Sequence, residues 1–100
     1  MSGIINVLKD YIEYTIKILV DNPDDVRTEL TLSTKTVIAQ IYVNKNDIGK
    51  VIGRKGRIIE SLKVICLSIK NTRFPEDIRR ILLEVMEDEN SKFSFNKKVN

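Results

Sequence analysis

Gly53-Arg54-Lys55-Gly56-Arg57 is the segment of this 100-residue chain whose residue types and spacing point to chemistry, and that chemistry is the gripping of a phosphate. Glycine at both ends admits positive φ and removes the Cβ, so the loop turns sharply and another backbone presses close to its own. Arg54 and Lys55 fill the variable positions and Arg57 follows at once. A helix opening after Gly56 adds unpaired amides and the positive end of its dipole, which favours an anion. Lys50 and Lys63 flank the loop as further phosphate contacts, with Lys45 a weaker candidate. Ile48, Gly49, Val51, Ile52, Ile59 and Leu62 supply an apolar floor with a notch at Gly49. Apolar surface beside a phosphate grip suits unpaired bases rather than a duplex.

The charge distribution singles out the same place. The chain carries 17 Lys and Arg against 14 Asp and Glu, a net +3 that by itself suits any soluble domain. Between Lys45 and Lys63, however, stand six basic and two acidic residues, leaving 11 basic and 12 acidic elsewhere. All of the net positive charge thus lies in one window, together with three of the four glycines.

What is missing narrows the function further. With no His there is no imidazole base or His metal ligand. A single Cys, Cys66, excludes an internal disulfide, a thiolate zinc site and a CxxC centre, and its place on an apolar stripe reads as a core thiol. Asp24-Asp25, Glu76-Asp77 and Glu87-Asp88-Glu89 have no partner base and read as solvated carboxylates of turns and tail. Neither GxxxxGK[ST] nor GxGxxG occurs, so no nucleotide cofactor is expected. No run approaches ~18 uninterrupted apolar residues, and no secretory signal pattern opens the chain. The expectation is a cytoplasmic, non-enzymatic domain without a membrane span, a metal or a cofactor.

The elements that must position the loop follow from periodicity. Ile4, Ile5, Leu8, Tyr11, Ile12, Ile16, Leu19 and Val20 recur at helical spacing, predicting a helix from Ile4 to Asn22, before Pro23. Val26, Thr28, Leu30 and Leu32 alternate with polar residues, as do Val37, Ala39, Ile41 and Val43 with Ile38, Gln40 and Tyr42. The short Ser33-Thr34-Lys35 turn between them predicts an antiparallel hairpin. Asn44 is an N-cap candidate for a short helix from Lys45 to Ile52 that buries Ile48, Val51 and Ile52, with Asp47 near the positive end of its dipole. A longer helix spans Arg57 to Asn71, and a third strand runs through Arg79 to Val85. The order α-β-β-α-α-β predicts an α+β fold: a three-stranded mixed sheet with helices on one face. Residues 1–87 form the domain and residues 88–100 a polar tail holding Phe93 and Phe95.

Val51-Ile52-Gly53-Arg54-Lys55-Gly56-Arg57-Ile58-Ile59 resembles the VIGxxGxxI signature of the K-homology (KH) domain, whose GxxG loop clamps backbone nucleotides. The element order resembles the prokaryotic, type II arrangement. Tyr11-Ile12-Glu13, Leu19-Val20-Asp21-Asn22-Pro23, Asp47-Ile48-Gly49-Lys50-Val51-Ile52-Gly53 and Leu83-Glu84-Val85 are similar to the small bacterial single-KH family KhpA (YlqC-like), over about residues 8 to 87. That resemblance implies a cytoplasmic RNA-binding protein that dimerises. It also implies a larger partner carrying a KH domain and a second nucleic-acid-binding domain, linked to cell-envelope growth and division. Asn44-Lys45-Asn46 departs from the family's Pro-containing helix start, and the tail from Asp88 to Asn100 extends past its usual end.

The expected site is therefore Ile48, Gly49, Lys50, Ile52, Gly53, Arg54, Lys55, Gly56, Arg57, Ile59 and Lys63, holding single-stranded RNA, with Arg79, Arg80 and the 72–77 loop as further contacts. The expected role is post-transcriptional regulation or RNA chaperoning. Three rival readings use the same residues. One is an ordinary helix–helix turn. Another is a helix-turn-helix, disfavoured because Ile58, Ile59 and Leu62 leave few polar side chains on the second helix to read bases. The third is a protein-interaction module whose groove holds a second copy or a partner, with RNA secondary.

Overall fold

The computed structural model describes residues 3–87. Ile4, Leu8, Ile12 and Ile16 recur every fourth residue and fall on one face of α1 (Ile4–Leu19), where all four are buried. The helix ends three residues before the predicted Asn22. Val20 is extended, although its N–H still reaches Ile16 O at 3.2 Å. Asp21 and Asn22 leave the helix because their amides are taken by the carboxylate of Asp47, described below.

A 3₁₀ turn at Pro23–Asp25 leads into β1 (Arg27–Leu32), which pairs antiparallel with β2 (Thr36–Val43). The hairpin turn is closed by Ser33, whose N–H donates to Thr36 O at 2.8 Å while its Oγ accepts the Thr36 N–H at 3.1 Å. β3 (Arg80–Glu87) lies parallel to β2, with Val37 opposite Ile81 and Ile41 opposite Val85. The sheet is mixed, in the order β1-β2-β3, as the crossover through two helices requires.

Val37, Ala39, Ile41 and Val43 are all buried on the face that the helices cover. Thr28 and Val85 face the same way as Ile41 in the register and are buried with it. Leu32, also predicted to point inward, stands at the end of the edge strand and remains partly exposed.

The predicted helix from Lys45 to Ile52 is two pieces: a 3₁₀ turn at Lys45–Asp47 and α2 (Ile48–Ile52). Asn44 caps the first piece as expected, its Oδ1 accepting the Asn46 N–H at 2.8 Å. Of the three apolar residues predicted to be buried there, Val51 is fully buried, Ile48 is half-buried and Ile52 is exposed. Five residues make little more than one turn, so only one side chain faces the sheet squarely.

After a second 3₁₀ turn at Arg54–Gly56, α3 runs from Arg57 to Arg73, two residues past the predicted end. The extension is held by the Phe74 N–H on Lys70 O at 2.8 Å. It is also held by the buried Lys70 ammonium, which donates to Asp77 O at 2.6 Å and to Asn71 Oδ1 at 3.3 Å. Leu62 and Cys66 join the core from this helix, and burial pushes the Cys66 thiol up to about 12.

Candidate nucleic-acid interface

The loop between α2 and α3 is glycine-dependent at both ends, for different reasons. The Gly53 N–H closes α2 on Gly49 O at 2.8 Å, and Gly53 then takes φ 80°, ψ 171°. A Cβ at Gly53 would stand 2.6 Å from Ile58 Cγ1, so the first turn of α3 packs directly against the bare backbone. Gly56 sits in the left-handed region at φ 73°, with open space where a Cβ would go. Between them Lys55 is itself left-handed, at φ 58°, the only non-glycine with positive φ among the described residues. Successive left-handed residues throw the Arg54 and Lys55 side chains outward, and both are exposed.

No side chain caps the N-terminus of α3. Its first-turn amides therefore open beside Arg54, Lys55 and Arg57, none of which is paired with a described residue. Three uncompensated cations next to a helix N-terminus form a focus of positive potential suited to phosphate oxygens.

The apolar part of the expected site divides in two. Ile48, Ile52 and Ile59 keep part of their surface in solvent, and Gly49 is exposed with nothing within 4 Å of a built Cβ. These four form the accessible floor and its notch. Val51 and Leu62, also expected in the floor, are instead buried in the core beneath it.

Among the flanking cations, the Lys50 ammonium lies 3.4 Å from the Asp21 carboxylate, so it is not a free charge. Lys63 is half-buried and forms no ion pair with a described residue. Arg79 is committed to Asp77: Nε donates to Oδ1 at 2.9 Å and Nη2 to Oδ2 at 2.5 Å. Asp77 is therefore no solvated carboxylate, as its sequence context suggested, and only Arg80 of that pair points freely outward.

The sequence reading placed Asp47 only at the positive end of a helix dipole and missed its larger, positioning role. Asp47 is fully buried; its Oδ1 accepts the Asp21 N–H at 3.1 Å, and its Oδ2 accepts Asn22 N–H and Nδ2 at 3.0 Å each. Burial alone would raise its pKa. Hydrogen bonds from Asn22 and the two amides, with Lys50 nearby, outweigh that and hold it below the ordinary carboxylate range. It fastens the start of α2, and with it the glycine loop, to the end of α1. No local signal marks that role, since its partners lie 25 and 26 residues away.

A family model described as KhpA/KhpB, KH domain, matches residues 9–91. The chain belongs to the KhpA/KhpB KH-domain family. Among its relatives, the RNA-binding protein KhpA of Chlamydia caviae is 37% identical over 81 residues, covering 81% of this chain and 99% of the relative. That of Aquifex aeolicus is 39% identical over 82 residues, covering 82% and 99%. That of Mycobacterium leprae is 40% identical over 63 residues, covering 63% and 79%. No solved structure matches the chain significantly. The α-β-β-α-α-β order and three-stranded mixed sheet are those expected of a KH domain.

Proposed function

We propose that this chain is an RNA-binding protein whose GxxG loop holds the sugar–phosphate backbone of single-stranded RNA. The carrying observation is the unpaired cluster Arg54, Lys55 and Arg57 on a left-handed glycine loop, beside the part-exposed Ile48, Ile52 and Ile59 and the open surface at Gly49. In this reading Gly53 and Gly56 shape the loop, Arg54, Lys55 and Arg57 meet phosphates, and Lys50 and Lys63 add charge along the strand. Unstacked bases lie over Ile48, Gly49, Ile52 and Ile59, with β3 as the far wall. The relatives named RNA-binding protein KhpA support the same reading.

The role is that of a cytoplasmic post-transcriptional regulator or RNA chaperone of type II KH architecture. Residues 1–87 act as the KH unit and residues 88–100 as a tail; Phe93 and Phe95 lie outside the described residues. The test replaces Arg54 and Lys55 by Asp. RNA affinity should fall by roughly tenfold or more at low salt, with circular dichroism and Tm nearly unchanged. Unchanged affinity would sink the assignment.

A second reading, in which the module also docks a protein, draws on a different surface. Val7, Tyr11, Tyr14 and Ile18 form a second apolar stripe on α1, with Tyr14 71% and Ile18 67% exposed. Tyr11 and Val7 share an open groove of about 400 Å³ with Ile65 and Ile69 of α3. A homodimer, or a larger partner with its own KH domain and a second nucleic-acid-binding domain, fits such a face. Light scattering with and without RNA tests it: a monomer that binds RNA at full affinity counts against a required dimer.

A further inference from the structure

The 72–77 loop, expected from sequence as a further RNA contact, stands at the other end of α3 from the glycine loop, too far to share its clamp, and lines a separate groove of about 700 Å³. The groove lies between the β1–β2 turn (Ser33 and Thr34) and the loop from α3 to β3 (Arg73, Phe74, Ile78 and Arg79). The loop is braced from inside, because the buried Lys70 ammonium holds Asp77 O at 2.6 Å. The Asp77 carboxylate in turn grips Arg79 through Nε, Nη2 and the backbone N–H, the last at 3.0 Å. Two parallel bonds fix the guanidinium plane, while Nη1 is bonded to no described residue. Ile78 beside it is 91% exposed, an apolar side chain that packs on almost nothing of this chain. Exposed Arg73 lines the groove with Arg79, and exposed Lys35 and Arg80 adjoin lining residues Thr34 and Arg79 in sequence, against the single uncommitted carboxylate of Glu76. The groove thus combines a half-buried aromatic ring, a fixed guanidinium plane, an exposed aliphatic side chain and excess positive charge.

We propose that this groove is a second nucleotide subsite, in which a base of single-stranded RNA lies against Phe74, Ile78 and the Arg79 plane while Arg73 and the Thr34 hydroxyl meet its phosphate. Stacking on aromatic and guanidinium faces is how unpaired bases are held without sequence preference, and the excess of cations at the groove matches a polyanion. The inference rests on the RNA-binding reading of the glycine loop. The 17 residues of α3 separate the two sites by about 25 Å at 1.5 Å per residue. A strand that only fills the clamp at Gly53–Gly56 therefore cannot reach the groove, whereas a longer strand engages both and gains by effective concentration.

The test compares the wild-type chain with an Arg73→Glu/Ile78→Asp variant on uridine oligomers of about four and about twelve nucleotides. Both substitutions are at exposed positions, so Tm should be retained. The variant should bind the short oligomer like wild type and the long one about tenfold more weakly. The gain from extra binding registers is common to both proteins and cancels in that ratio. Equal affinity of the two proteins for the long oligomer overturns the subsite, as does an equal loss on both lengths. A variant unchanged toward RNA but shifted in scattering mass makes the groove a protein contact and likewise overturns it. Wild type binding neither length refutes the RNA reading itself, and the subsite with it.

Discussion

The Oδ2 atom of Asp47 accepts two hydrogen bonds from Asn22, one from the backbone N–H and one from the side-chain Nδ2, each at 3.0 Å. Asn22 is where α1 has given way to the turn before β1, and Asp47 is the residue on which α2 begins. One buried carboxylate thus sets the height and angle at which the glycine loop is presented. Removing it strands the amides of Asp21 and Asn22. Asp47→Ala should cost about 2–4 kcal/mol in urea unfolding, and Asp47→Asn less, because one carbonyl acceptor remains. Equal effects of the two variants would mean that the hydrogen bonds are not what the carboxylate supplies.

The two loop glycines should respond unequally to alanine. At Gly53 the new methyl meets Ile58 as well as an unfavourable positive φ, so Gly53→Ala should lose roughly 2–4 kcal/mol of stability together with RNA affinity. At Gly56 only the left-handed strain applies, about 1–2 kcal/mol, and Gly56→Asn should recover part of it. Thermal melts of the three variants rank them directly.

Asp21 holds the Lys50 ammonium at 3.4 Å on an exposed surface, where under the proposed RNA reading a phosphate would compete for it. Asp21→Asn leaves the backbone N–H on Asp47 intact and releases the lysine. RNA affinity should rise about two- to fivefold at low salt, the range of an exposed ion pair. In a Lys50→Gln background the gain should vanish, which a four-way anisotropy titration reads.

Acid stability should carry the signature of Asp77. Hydrogen bonds from the Arg79 side chain hold its carboxyl down to about 2, against the opposing effect of burial and with help from the Arg79 amide and the Arg79 and Lys70 charges. A carboxylate with a depressed folded-state pKa stabilises fully above its unfolded value, and that contribution disappears as pH falls through the folded one. Stability should decline from about pH 5 toward pH 2, and Asp77→Asn should flatten that decline. A parallel pH curve for the variant would assign the acid sensitivity to other carboxylates, Asp47 first.

The element order, the inward set Val37, Ala39, Ile41 and Val43, the Asn44 cap and the glycine–cation loop were legible because each is written in residues adjacent in sequence or one turn apart. Hydrophobic period and local capping depend on neighbours that the chain itself supplies. Boundaries were less so: α1 loses its last turn because a side chain 25 residues away competes for the amides, and α3 gains one because Lys70 anchors the loop beyond it.

The sequence by itself determined the kind of protein, an α+β module with a cation-bearing glycine loop and the residues to make it. Tertiary structure alone decided which charges are free to act: Arg54, Lys55 and Arg57 stand unpaired, while Lys50 and Arg79 are held by Asp21 and Asp77. It also decided which apolar residues are surface, lifting Ile48, Ile52 and Ile59 into solvent above a buried Val51 and Leu62. The division has one physical cause. Composition and periodicity set what a segment can do, but the pairing of a charge and the burial of a methyl depend on atoms brought close only by folding.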